Sequence, residues 1–319
     1  MSDAYQAKRD ASDEQSHSSP EQSSERSPTN KTSGEHPREV ELQVKILYYP
    51  FMGTNVDTER LLLLPKICYA PLDIGELERM LLGDKPSKDE VGRFIRGLIN
   101  SGHLGALEHW YTTFAVQGYS RISSQQNDRH RLMKVFKDSG VVYYNEPVQA
   151  SPDVSQLQQS QRYVREENFG YVVPPSFRAH PDFLERFRKL QEEVRQIQRE
   201  GHSRGIPAED VRFALTNATE TRFVITVNAR QLRHMFNLRC CQRAQWEIRE
   251  LFTKLLYEYK KIAPNIFYRA GASCEDFGYC PEGKMSCGRA PTIEALREAY
   301  EEKRRLSRRN EPGSREDSR

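Results

Sequence analysis

Several absences bound this 319-residue chain before any motif does. Residues 1–38 contain no Val, Ile, Leu, Phe or Trp and are rich in Ser, Glu, Gln and Pro. Such a segment cannot bury enough apolar surface to offset the entropy of ordering it, so a disordered tail is expected there. Residues 304–319 are as polar and lack apolar periodicity, and a second disordered tail is expected. No stretch approaches the ~20 apolar residues of a membrane-spanning helix; the longest aliphatic run is Leu61-Leu62-Leu63-Leu64. The N-terminus carries no apolar secretory segment, which makes a cytoplasmic protein the expectation. Charge of one sign is also missing. Lys and Arg number 48 against 45 Asp and Glu, a net +3, far from the clustered excess of a phosphate-neutralising nucleic-acid binder. The basic groups at 303–305 and 308–309 read as a solvated helix end. There are six cysteines and no C-x2-C. Cys274, Cys280 and Cys287, with Cys240 or Cys241 as a fourth, do not have zinc-site spacing, so reduced thiols and no metal are expected. No glycine-rich dinucleotide turn or P-loop occurs. A dinucleotide, if bound, needs another device.

What is present is a globular stretch over residues 39–303. Val44, Ile46 and Leu47 predict an entering strand. Asp73 caps a short helix through Ile74, Leu77 and Leu81. Ser87 and Glu90 form a capping box ahead of Val91, Phe94, Ile95, Leu98 and Ile99, spaced for an amphipathic helix that Gly102 ends. Residues 111–116 and 221–227 predict strands. Helices are predicted over 120–131, 183–198, 228–238 and 245–262. Irregular mixing of the two element types points to an α+β domain, a mixed sheet packed with long helices.

Four polar constellations stand out. G-H-L-G-A-L-E-H at 102–109 places two histidines and a glutamate between a helix end and a strand, suited to acid–base chemistry or ligand recognition. Gln126-Asn127-Asp128-Arg129-His130-Arg131 sets two guanidiniums around an imidazole, a pattern that suits phosphate. Gln158-Gln159-Ser160-Gln161-Arg162-Tyr163 reads as a polar turn. Within N-A-R-Q-L-R-H at 228–234, Arg230 and His234 share one helix face with Asn237, and Arg239 stands at the helix end.

Each has a bland alternative as a helix cap, solvated end or loop. Their order along one chain resembles the flavin-dependent thymidylate synthases, over residues 40–291. The matching pieces are G-H-L-G-A-L-E-H, G-Y-S-R with a glutamine three before R-H-R, Q-S-Q-R-Y, T-R-F-V-I-T-V-N-A-R, L-R-C-C-Q-R-A-Q-W-E-I and C-P-E-G-K-M-S-C-G.

The resemblance implies a homotetramer with active sites at subunit contacts. It implies FAD reduced by NADPH, and methylenetetrahydrofolate as donor of the carbon added to dUMP. Flavin contacts carry over to His103, Glu108, Arg129, His130, Arg131, Asn228, Arg230 and His234. Nucleotide contacts carry over to Gln126, Gln158, Ser160, Gln161 through its backbone, Arg162, Arg212 and Arg239, with Arg212 and Arg239 from a different subunit than the Ser160 loop. His103, Ser160 and Arg239 are the implied catalytic residues; no base stands near Ser160 in sequence, so orienting the nucleotide is its expected role. The chain departs from the family in one large respect: residues 132 to about 156 are inserted between R-H-R and Q-S-Q-R-Y, with Val141-Val142-Tyr143-Tyr144 suggesting a hairpin arm or lid. Ser139 meets the family's literal spacing, but Ser160 is followed by the arginine and tyrosine and is preferred. The alternative is a catalytically divergent relative that binds flavin or nucleotide as a scaffold or regulator.

Overall fold

A computed structural model of the chain describes residues 37–126, 135–137, 140–142, 154–164 and 166–309, all within one compact unit, 36–319. The N-terminal tail, Arg129, His130, Arg131 and Ser139 therefore lie outside the described residues.

A short parallel pair comes first in the chain: β1 (Arg38–Glu39) lies beside β7 (Gly170–Tyr171). The main sheet is antiparallel, in the order β2 (Gln43–Tyr48), β3 (Tyr111–Ser120), β8 (Glu220–Asn228), β6 (Val154–Gln158). Gly118 makes the bulge in β3: its φ is +69°, and a Cβ there would strike the Glu41 carbonyl.

The helices largely follow their predicted caps. Asp73 closes a capping box on α1 (Ile74–Leu82), and Ser87 does so on α2 (Lys88–Asn100). Asn228 caps α7 (Ala229–Arg239) and Gln245 caps α8 (Trp246–Ile262). One face of the sheet, through Phe114, Val116, Phe223, Ile225 and Val227, buries against Leu232, Met235 and Phe236 of α7 and Ile248, Leu251, Phe252 and Leu255 of α8. Trp110, Phe236, Tyr259 and Phe267 meet mostly edge-to-face at the centre. A satellite core of Phe169, Tyr171, Val173, Leu184 and Val194 joins β7 to the long α5 (Pro181–Ser203), with α4 (Pro175–Arg178) beside it.

Three expectations are corrected and one element was unforeseen. Of the helix predicted over 120–131, the described residues hold α3 (Arg121–Ser124) and then a turn at Gln125 and Gln126, while 127–131 lie outside the described residues. The inserted residues contain the hairpin β4 (Val135–Lys137) and β5 (Gly140–Val142), but 154–156 belong to the main sheet, where Val154 and Gln156 pair with Val227 and Ile225. An eleven-residue 3₁₀ segment, Thr58–Cys68, was not foreseen. After α6 (Ala208–Val211) and α9 (Ser273–Phe277), α10 (Ile293–Arg309) continues past 304, where a disordered tail was expected. Ile293, Leu296 and Tyr300 give it a helical apolar period.

Candidate active site

Two clusters of site residues form at opposite ends of α7. The first surrounds His103. Helix α2 ends at Asn100, Gly102 takes φ +75°, and the His103 amide donates to the Leu98 carbonyl at 2.9 Å. A 3₁₀ turn, Leu104–His109, follows, pinned by the fully buried Leu107. His103 and His109 line an open groove of about 530 Å³ with Leu64, Pro65, Tyr69 and Ala106. Glu108 forms an ion pair with Arg230 in the first turn of α7, half-exposed on both sides. Asn228 spends its side-chain oxygen on the Gln231 amide, 2.8 Å, so its first role is to start that helix. His234 lies one turn beyond Arg230.

The wall of this groove is held by three buried polar residues that sequence reasoning missed. Thr58 accepts from the Trp110 indole at 2.8 Å. Glu59 accepts from the Asn265 amide and side chain, both at 2.6 Å, and from the Ile266 amide at 3.0 Å. Burial raises its carboxyl above the ordinary range, and these bonds offset that in part. Arg60 donates to the carbonyls of Met80, Leu81, Lys85 and Pro86. Their partners lie 20 to 207 residues away in sequence, so the only local sign was a charged pair beside a leucine run.

The second cluster is at the C-terminal end of α7. Arg239 donates to the Gln126 carbonyl at 3.0 Å. Gln158, at the end of β6, donates to the hydroxyls of Ser124 and Thr221, each at 2.9 Å. The Ser160 hydroxyl accepts from the Arg162 amide at 3.2 Å. The Arg162 guanidinium meets Glu209 at 2.9 Å, and Arg212 donates to the carbonyl of the same Glu209 at 3.0 Å. The Ser160 turn and the segment that carries Arg212 therefore meet in this chain through the Arg162–Glu209 pair. Glu209 itself was not foreseen, although an acid three residues before Arg212 was the available signal. Gln161 has a buried side-chain amide nitrogen without a hydrogen-bond partner. Arg233, on the same helix as Arg230, is structural: it is buried and binds the Ile266 and Tyr268 carbonyls and Asp276.

From Arg230 to Arg239 is nine residues, or about 13 Å along the helix axis. The arrangement thus offers an apolar groove with imidazoles at one end and a guanidinium-rich turn at the other, suited to a flat aromatic ligand and an anion. Among the described residues, no group of three or more His, Cys, Asp or Glu is placed to hold a metal ion, and no helix is long and apolar enough to cross a membrane.

The family model described as thymidylate synthase complementing protein matches residues 54–265. A flavin-dependent thymidylate synthase of Geobacter sulfurreducens is 40% identical over 233 residues, covering 72% of this chain and 89% of that protein. The protein of the same name from Clostridium tetani is 35% identical over 249 residues, covering 72% and 88%. That of Pyrococcus furiosus is 36% identical over 207 residues, covering 62% and 76%.

Proposed function

The chain belongs to the flavin-dependent thymidylate synthase family, and on that premise we propose that it makes dTMP from dUMP. In the balanced reaction, dUMP, methylenetetrahydrofolate, NADPH and a proton become dTMP, tetrahydrofolate and NADP⁺. FAD, when bound, supplies the hydride that completes the methyl group.

The residues fit these ligands. The His103 groove has apolar walls for a flat ring, and Arg230 stands on the adjoining helix with Glu108 as its counter-charge. Arg129, His130 and Arg131 lie outside the described residues, and their role as pyrophosphate ligands rests on the family motif. Arg162, Arg212 and Arg239 are the guanidiniums proposed for the nucleotide phosphate, and the Ser160 hydroxyl lies beside the Arg162 amide. Gln126, Gln158 and the Gln161 backbone are left to orient the uracil. The observation that carries the reading is the meeting of Gln126, Gln158 and Arg239, from three distant segments, around residues 120–126. The orphaned Gln161 nitrogen is a donor that a ligand acceptor would satisfy.

A homotetramer with sites at subunit contacts is part of the proposal. Large apolar side chains are exposed beside the nucleotide residues: Leu157 at 76%, Tyr163 at 80% and Phe213 at 85%. Such patches mark contact surfaces. Light scattering should return about four times the 37.1 kDa chain mass.

The test is dTMP formation by purified protein given FAD, NADPH, methylenetetrahydrofolate and dUMP, read by mass spectrometry. Arg239→Ala should lower kcat/KM for dUMP by about tenfold to a hundredfold, the effect of losing a charged hydrogen bond. Folded, flavin-loaded protein that makes no dTMP would move the scaffold reading to first place.

A further inference from the structure

We propose that Glu247 is a positioning residue for the nucleotide end of the site, an inference that rests on the dUMP reading above. Glu247 lies in the first turn of α8 and is 2% exposed. Three donors converge on its carboxyl group. The Ser120 amide donates to Oε1 at 2.6 Å; the Ser120 and Ser123 hydroxyls donate to Oε2 at 2.5 and 2.6 Å. All three come from the point where β3 ends and α3 begins.

That short segment carries the substrate side of the site. Its Ser124 hydroxyl receives Gln158, and its last residue, Gln126, receives Arg239. Backbone bonds from Arg121 and Ile122 to the Thr219 and Asn217 carbonyls hold its other flank. Glu247 is the buried side chain that ties it to α8. A carboxyl group saturated by three donors in the interior is costly to displace, because every partner would be left unpaired. It therefore fixes the segment's position without touching Gln126, Gln158 or Arg239 in any bond described above. In Glu247→Gln the amide nitrogen is a donor where Oε2 accepted, so the Ser120 and Ser123 hydroxyls must turn to accept from it, and the charge-assisted bonds that hold the segment are lost.

The experiment compares full-length wild type, Glu247→Gln, Ser123→Ala and the double variant. Equilibrium dialysis gives the dUMP Kd, absorbance gives flavin per chain, and steady-state kinetics give KM for dUMP and for NADPH. Misplacement of the binding groups should raise the dUMP Kd and KM by about tenfold in Glu247→Gln, and by less in Ser123→Ala, with flavin content and the NADPH KM unchanged. The double variant should bind dUMP no more weakly than Glu247→Gln, because both changes break one network. Unchanged dUMP affinity, additive losses, or parallel loss of flavin and dUMP overturns the proposal. Should Glu247→Gln fail to fold, Ser123→Ala decides alone by the same criterion. Wild type that binds no dUMP defeats the nucleotide reading itself and this role with it; wild type that binds dUMP with both variants unaffected defeats this role only.

Discussion

The two ends of α7 are built differently. At the His103 end, the groove wall is anchored by buried side chains: Thr58 to Trp110, Glu59 to Asn265 and Ile266, Arg60 to four carbonyls. At the Arg239 end, Arg162 pairs with a half-exposed Glu209, and large apolar residues stand in solvent beside it. A surface ion pair of this kind contributes about 1 kcal/mol or less, so it does not fix geometry as the buried bonds do. One end is anchored by buried bonds. The other is bonded to Glu247 on its inner face and exposed on its outer face, which is where the proposed tetramer would add a neighbour.

The comparison can be broken at three levels. The largest effect should come from Phe213→Ser, alone or with Leu157→Ser. If these side chains meet a second copy, each phenylalanine lost from the contact weakens assembly by about 1.5–3 kcal/mol, and sedimentation should show smaller species with dUMP turnover falling in parallel. A tetramer of unchanged stability would remove the asymmetry between the ends. Next is Thr58→Val, which keeps shape and deletes the acceptor of the buried indole. It should cost about 1–3 kcal/mol in chemical denaturation and loosen flavin before dUMP; the reverse order would mean that the groove belongs to the nucleotide. The smallest effect is one of slope. Burial raises the Glu59 carboxyl, so the folded state holds its proton to higher pH than the unfolded state, whose value is near 4.5. Stability from this group is therefore lost as pH rises from about 4.5 through the raised folded value. Glu59→Gln should remove that component, visible as a difference between the two pH–stability curves in that window.

Much of the frame was legible. The period of Val91, Ile95 and Leu98 behind the Ser87–Glu90 box marked α2, and Asn228 and Gln245 marked the starts of α7 and α8. Those signals are local: a cap and its helix lie within one turn of each other. β6 was illegible because Val154–Gln158 is a polar edge strand whose only evidence is its pairing with β8. The 58–68 segment has a proline inside and no helical period. The Ser120–Ser123 segment illustrates the limit: its hydroxyls bond a carboxyl group 124 to 127 residues away, which no local pattern shows.

The sequence by itself determined the α+β composition, the main caps and core faces, and the ordered set of motifs that signalled the family, since each depends on residues close together or on the kinds of residue present. Only the tertiary structure decided which of the polar residues meet. It joined Gln126 to Arg239 and Arg162 to Glu209, set Arg233 among backbone carbonyls, and buried Glu59, Arg60 and Glu247. A buried polar group is tolerated only where its partners converge, and those partners come from segments that only folding brings together.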